Sequence, residues 1–350
     1  MQPCWAKVNL YMSPQVFLLH ENPEWVEPLE AELRNRGLPS QSWDLTGGVV
    51  RLDEVPPEGV FYCRMSASAH TRGHDHAGAY AAALLSWLES AGRRVVNGSS
   101  ALTLELSKVQ QYAALRAAGV PVPRTRVAVG SEAIVAAAQG LRWPIIVKPN
   151  RGGKGLGVVR VEDAAALRRY VDDPQFDVGP DGVVLVQEYI EPRTPSIVRN
   201  EFVGGRHLYS VRVDTSSGFE LCPADVCAID DLACPVGDGA QADDATSSTD
   251  DALWDRFQIM AGFSHPLIAK YEALLETHSI EIAGIEMIED CNGQWLAYDI
   301  NVNTNYNSAA ESASQTVDDH AGGMASVARF LGELLDQQYK TRVRGISAAH

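Results

Sequence analysis

The first hundred residues switch repeatedly between two hydrophobic periods. Val16–His20 is a short apolar run of strand length. The next segment has helical spacing, with Asn22 as cap, Pro23 as first helical residue and Gly37 as stop. Val60–Cys63 is a second strand, Ala77–Ala91 a helix closed by Gly92, and Arg94–Val96 a third strand. This alternation predicts a small open α/β domain around a parallel sheet.

A second unit starts near Ser99. Helix formers run from Glu105 to Ala118 and stop at Gly119 and Pro121. Strands are expected at Pro144–Lys148, Val158–Val161 and Val183–Gln187, with a helix from a cap at Asp163 to Val171. In a third unit, Ile197–Val203 and His207–Val213 form a hairpin around Gly204 and Gly205. Ala252–Thr277 is expected to be helical with a break at Pro266. Ile280–Ile288 and Gln294–Asn301 are strands joined at Asn292 and Gly293. Asp319–Tyr339 is expected to be helical, with Thr341–His350 as a frayed tail.

Composition narrows the classes. The 350 residues are 45% apolar and 21% charged, enough apolar material for a large core and two or three domains. The net charge of −16 argues against a nonspecific nucleic-acid binder. Eleven acids and no Lys or Arg lie between Val213 and Asp255, and mobility is expected through Asp230–Asp251. No run reaches the length of a transmembrane helix and no signal-peptide pattern opens the chain, so a cytoplasmic protein off the membrane is expected. The six cysteines show no paired spacing and read as free thiols.

Two local patterns carry chemistry. Lys148 to Gly157 reads Lys-Pro-Asn-Arg-Gly-Gly-Lys-Gly-Leu-Gly between two strands. It fits neither a Walker A loop nor a dinucleotide fingerprint, which opens a helix. A flap with glycines at 152, 153, 155 and 157, flanked by Lys148 and Lys154, can lay backbone N–H groups and cations over a polyphosphate. The second pattern is a register. With Asn292 and Gly293 as a two-residue hairpin loop, Glu286 falls opposite Asp299 and Asn301 shares their face. Facing carboxylates repel, and a divalent cation with hard oxygen ligands is the expected compensation.

Together these features resemble the ATP-grasp superfamily, particularly the branch of ribosomal-protein S6 glutamate ligase and glutathione synthetase, over about residues 97–335. The resemblance implies an α+β ATP-grasp fold: an open α/β pre-ATP-grasp domain over 1–98, a central lid subdomain over 99–188, a C-terminal subdomain with the metal site over 189–338, and a tail over 339–350. The two subdomains would sandwich ATP. By the same resemblance, Lys108, Lys148, Gly152, Gly153 and Gly155 contact ATP. Gln187, Glu188, Tyr189 and Ile190 form the adenine hinge, and Glu191 takes the ribose in place of the Asp that this branch carries where Ile197 stands. Glu286, Asp299 and Asn301 would hold Mg²⁺, with Mn²⁺ as a substitute, although the branch usually has Asp before Glu. Arg212 and Lys154 would be catalytic. The Arg-x-Asn that often follows the central hairpin in this branch is absent.

The implied activity is ATP-dependent joining of a small-molecule or peptide carboxylate to an amine, through an acylphosphate, with release of ADP and phosphate. Rival readings are a kinase on the same scaffold and a non-catalytic nucleotide-binding regulator. Arg64, Arg72 and Asn303 are substrate candidates. Arg64 and Arg72 flank the loop after the Val60–Cys63 strand together with His70, His74 and His76, which reads equally as an anion-holding or a solvated loop. Homo-oligomerisation stays open.

Overall fold

The computed structural model describes residues 14–153, 155–216, 256–314 and 322–348, with side chains to residue 338. Lys154, the acidic stretch 230–251, Cys4, Cys222, Cys227, Cys234 and the first residues of the helix expected from Ala252 lie outside the described residues. Of the remaining thiols, Cys63 is buried and Cys291 exposed, and both are free.

The N-terminal apolar runs form the expected parallel sheet. Strands β1 (Gln15–His20), β2 (Ser40–Asp44), β3 (Gly59–Arg64) and β4 (Arg94–Val96) lie in the order β2-β1-β3-β4. Apart from Trp43, which packs on Phe17 and Phe61, the residues of edge strand β2 are polar and give no apolar run. Helix α1 (Glu27–Asn35) starts later than Asn22 and Pro23 imply. Those residues make a preceding turn, with Val26 and Glu27 N–H donating to the Pro23 carbonyl, and Pro28 takes the first-turn position instead. Helix α2 (Ala77–Ser90) packs Leu84, Leu85 and Leu88 against Phe17 and Phe61, while α1 covers Val16, Leu18 and Val60 on the other face.

The helix expected over Glu105–Ala118 is two helices, α3 (Ser99–Glu105) and α4 (Lys108–Ala117). Ser107 is the reason. Its side chain caps α4 by accepting the Gln110 N–H at 3.3 Å, and donates to the Asn150 amide at 3.1 Å. Asn150 also accepts the Val109 N–H at 2.9 Å. The break sets Lys108 on the first helical position and Glu105 at the preceding helix end.

The middle sheet is antiparallel, β5 (Thr125–Ala128), β6 (Ile145–Pro149), β7 (Val159–Val161) and β8 (Val184–Glu188) in the order β5-β8-β6-β7. Helices α5 (Ser131–Ala138) and α6 (Ala164–Val171) cover it through Ile134 and Leu167. As expected, Asp163 caps α6, accepting the Ala166 N–H at 2.7 Å.

A five-stranded antiparallel sheet completes the fold: β9 (Ser196–Val203), β10 (Arg206–Asp214), β11 (Phe257–Ile259), β12 (Ile282–Glu289) and β13 (Trp295–Asn301), ordered β11-β10-β9-β12-β13. Gly204 and Gly205, at φ 63° and 71°, make the β9–β10 turn. The expectation of helix through Ala252–Thr277 is corrected. Phe257–Ile259 pairs with the edge of β10, and α7 (Pro266–Thr277) begins at Pro266, which is a helix start under a His265 cap and no kink. After α8 (Ser308–Ala313), α9 runs over Gly323–Ala348, so helix replaces the expected frayed tail up to Ala348. Val327, Ala328 and Leu331 of α9 return to the N-terminal sheet beside Val16, Leu18 and Tyr62. Helices α3, α4 and α7 bury Ala101, Leu115 and Tyr271 against Phe202 and Ile285 of the last sheet.

Asn97 joins the first and last units. It stands at φ 54°, donates to the Ile282 and Val302 carbonyls at 2.7 and 2.9 Å, and accepts the Glu281 and Ile282 N–H groups at 3.0 and 3.2 Å. Alanine there would orphan several buried backbone groups. Asn97→Ala is expected to cost about 3 kcal/mol in denaturant unfolding; a loss under about 0.5 kcal/mol would show the bridge to be dispensable.

Candidate active site

The hairpin β12–β13 brings the two carboxylates together, by a route the register argument did not contain. The loop is three residues long: Asp290 N–H donates to the Gln294 carbonyl at 2.9 Å, and Gly293 at φ 83° closes the turn. Near the turn the register is therefore one residue off, with Glu289 opposite Trp295. A bulge at Tyr298 then restores it, and Glu286 stands opposite Asp299 as expected. Asn301 lies two residues along, its amide 3.4 Å from a carboxylate oxygen of each.

The protein brings its own cations to this ladder, beside the divalent cation that the sequence led us to expect. On the neighbouring strand Arg199 donates to Glu286 at 2.8 Å, to Glu201 at 2.6 Å and to Thr304 at 2.7 Å. Thr304 in turn donates to Glu201 at 2.8 Å. Gly284 makes room for the guanidinium, since a Cβ there would sit 2.6 Å from it. Lys108 pairs with Asp299. Burial alone would raise the Asp299 carboxyl above its usual value, but the Lys108 charge and hydrogen bond hold it below. Glu286 is pushed up by burial despite Arg199.

Lys148 is buried and donates to the Tyr112 hydroxyl at 2.8 Å, and Tyr112 donates to Gln187 at 2.8 Å. Desolvation, followed by the nearby Lys108 charge, brings the Lys148 ammonium down to about 7.

These groups share a cavity of about 490 Å³. Its walls include Lys108, Lys148, Arg199, Glu286, Asp299 and Asn301. The flap residues Gly152, Gly153 and Gly155 lie over it, and Gln187, Tyr189, Ile190 and Glu191 line its hinge end. Ser66, Ser68, Asn303 and Asn305 line the end against the N-terminal unit. Of the expected hinge residues, Glu188 turns away to accept the Arg142 N–H at 3.0 Å.

Other expected residues stand elsewhere. Val211 shares a row with Arg199 and Glu286, so Arg212, next along β10, points to the opposite sheet face, where it meets Gln258. Arg199 is the arginine at the ladder. Arg64 is buried on Asn303, Thr304 and Asn305, at 3.0, 3.1 and 2.6 Å. Arg72 pairs with Glu21 and stacks over Trp25, and His74 also binds Glu21 at 2.7 Å. Both arginines thus hold protein groups. Arg199, Tyr112, Tyr298 and Glu105 were missed; the interior strand glycine at 284 was the one sequence signal for Arg199.

The donor set suits a hard cation. Among the described residues no three His, Cys, Asp or Glu side chains form a metal cluster. Two carboxylates and an amide beside a phosphate-sized space are nonetheless what magnesium takes, since it completes its shell with phosphate and water.

Residues 106–216 match the family model of the RimK-like ATP-grasp domain. The chain is similar to the glutamate–LysW ligase ArgX of Sulfolobus acidocaldarius, 31% identical over 34% of this chain and 41% of that one. It is also similar to the D-alanine–D-alanine ligase of Chromohalobacter salexigens, 25% identical over 54% of this chain and 56% of that one. The chain spans about two fifths of the length of the first curated relatives it matches. Among solved structures, a RimK domain ATP-grasp protein of Sphaerobacter thermophilus superposes with a TM-score of 0.60 at 20% identity, over 90% of this chain and 98% of that one. The ATP-grasp ligase PsnB gives 0.59 at 16% identity, over 91% and 99%. No described helix is long and apolar enough to cross a membrane.

Removing one member of the ladder should expose its charge balance. Asp299→Asn leaves Lys108 without its partner at a site where the two side chains are 12% and 17% exposed. The variant is expected to lose about 2–3 kcal/mol in nucleotide-free unfolding, and adding Lys108→Met should recover most of it. Equal stability of Asp299→Asn and the parent would mean a solvated, unimportant pair.

Proposed function

From a chain whose residues 106–216 are a RimK-like ATP-grasp domain within an ATP-grasp fold, we propose an ATP-dependent ligase that joins a carboxylate to an amine. The observation that carries this reading is the meeting, under the glycine flap, of Glu286, Asp299 and Asn301 with Lys108, Lys148 and Arg199 in one cavity.

In the proposed reaction the substrate carboxylate attacks the γ-phosphorus of ATP, and the bond to ADP breaks. The amine nitrogen then attacks the acyl carbon of the acylphosphate. The carbon–oxygen bond to phosphate breaks, phosphate leaves, and the amine proton passes to solvent. Glu286, Asp299 and Asn301 would hold Mg²⁺, which supplies charge neutralisation at the phosphates when bound. Lys148 and Lys108 bring positive charge to the polyphosphate, and the flap N–H groups cover it. Arg199, fixed by Glu201 and Thr304, holds Glu286 in place. Gln187 to Glu191 would receive the adenosine. The rest of the work is positioning of the two substrates in a closed cavity. Amino acids or peptides are the substrate class suggested by the relatives' names, LysW ligases and PsnB with a precursor peptide.

The test is product analysis over a panel of carboxylates and amines with ATP and Mg²⁺. An amide with ADP and phosphate is expected; a phosphorylated product without amide would sink the ligase reading in favour of a kinase. Lys148 adds a second check. With its ammonium at about 7, the site is mostly neutral at pH 8, and the bound phosphates draw the proton back. ATP binding at pH 8 is therefore expected to take up about one proton, read by calorimetry in buffers of different ionisation enthalpy, and affinity should fall as pH rises above 7. Lys148→Met should abolish the uptake and weaken binding about tenfold or more.

A further inference from the structure

The end of the cavity against the N-terminal unit has a charge character of its own. Two arginines of the N-terminal unit are already engaged: Arg64 by Asn303, Thr304 and Asn305, and Arg72 by Glu21, Ser68 and Trp25. The described cations that line the cavity, Lys108, Lys148 and Arg199, all belong to the ladder and phosphate region. Toward the N-terminal unit it is lined by Ser66, Ser68, Trp25, Asn303 and Asn305, and Glu105 stands between these and the ladder, close enough to feel the Lys108 and Asp299 charges.

Glu105 is 8% exposed and closes the last turn of α3. One oxygen accepts the Ala67 N–H at 3.0 Å and the other accepts the Val302 N–H at 2.8 Å. It therefore sits at the seam between the 66–68 loop and the residue that follows Asn301. Two backbone donors orient a carboxylate but leave its charge without a counter-ion. Lys108, whose charge acts on Glu105, is hydrogen-bonded to Asp299. The other cavity carboxylates differ: Glu286 has Arg199, Asp299 has Lys108, and Glu191 stands at the hinge end. An oriented, nearly buried carboxylate facing a cavity without a cation of its own is matched by a ligand ammonium, at the strength of a charge-assisted hydrogen bond.

We propose that Glu105 anchors the ammonium group of the acceptor amine, and that this end of the cavity rejects ligands bearing a carboxylate there. The inference rests on the ligase reading for the word acceptor, but the binding chemistry stands by itself. Ser66, Ser68, Asn303 and Asn305 add hydrogen bonds to a polar acceptor, and Trp25 packs on its carbon chain. A second carboxylate entering this end would meet Glu105, and the described cations that line the cavity are engaged with Asp299, Tyr112 and Glu286; Arg151, whose Nε and Nη2 have no partner among the described residues, does not line it. The class of substrate selected is an amine whose near neighbours are uncharged or cationic.

The test is calorimetry on the full chain with ADP and Mg²⁺, using 1,3-diaminopropane and glutarate as probes of similar length and opposite charge. The diamine should bind and glutarate should not, and Glu105→Gln should weaken the diamine at least tenfold. Glutarate binding in place of the diamine, or equal diamine affinity in Glu105→Gln, overturns the proposal. Glutamine can satisfy only one of the two backbone donors, so folding of the variant is checked by its melting temperature. If it fails to fold, the parent protein decides by the order of the two probes. Hydroxylamine trapping separates this from the ligase reading. It intercepts an acylphosphate without needing an ammonium anchor, so absence of hydroxamate over a panel of monocarboxylates sinks the ligase and leaves the diamine result to stand or fall alone.

Discussion

One buried chain of paired charges, with two facing carboxylates at its centre, holds this site in shape. It runs Glu201, Arg199, Glu286, Asp299 and Lys108, across β9, β12, β13 and the first turn of α4. Such ion pairs add little net stability, because desolvation offsets attraction, but losing one member strands the others. Their effect is to fix positions. Arg199 has each of its donor nitrogens engaged, so Glu286 cannot swing away. Lys108 reaches Asp299 only because Ser107 and Asn150 break the α3–α4 helix at that point. A capping interaction outside the cavity thus sets a charge inside it.

The architecture follows from this requirement for convergence. The ladder comes from the last sheet, Lys148 and the flap from the middle sheet, and Ser66 and Ser68 from the loop after a parallel strand, the usual place for ligands in open α/β sheets. Each unit has its own apolar core and contributes one wall. The polar side chains between the walls are then forced to pair with one another, which is why Arg64 and Arg72 end on protein groups.

Much of this was legible in the sequence wherever a short-range rule governed it. Apolar runs with glycine or proline stops located most strands, and Gly204 with Gly205 located a hairpin. The opposition of Glu286 and Asp299 was reached although the assumed turn was wrong by one residue. The bulge at Tyr298 cancels that error, and neither irregularity leaves a mark in local composition. Edge strands β2 and β11 were lost because each buries one aromatic side chain, Trp43 or Phe257, without an apolar run around it. Arg212 was preferred to Arg199 through a family pattern, yet strand alternation puts them on opposite faces, and only long-range pairing decides which face meets Glu286. Glu105, Tyr112 and Thr304 were invisible for the same reason: their partners lie far away in the chain.

The return of α9 to the first sheet has a consequence for biosynthesis. Val16, Leu18 and Tyr62 leave the ribosome long before Val327 and Leu331, which pack against them. Until then that face of the N-terminal sheet has only α1 over it, although its strands and α2 are complete. Loop closure over so long a separation is slow, and exposed sheet faces are prone to aggregation while they wait. Part of the cover of the N-terminal sheet therefore arrives only once α9 has been made, and removing α9 would strip it away.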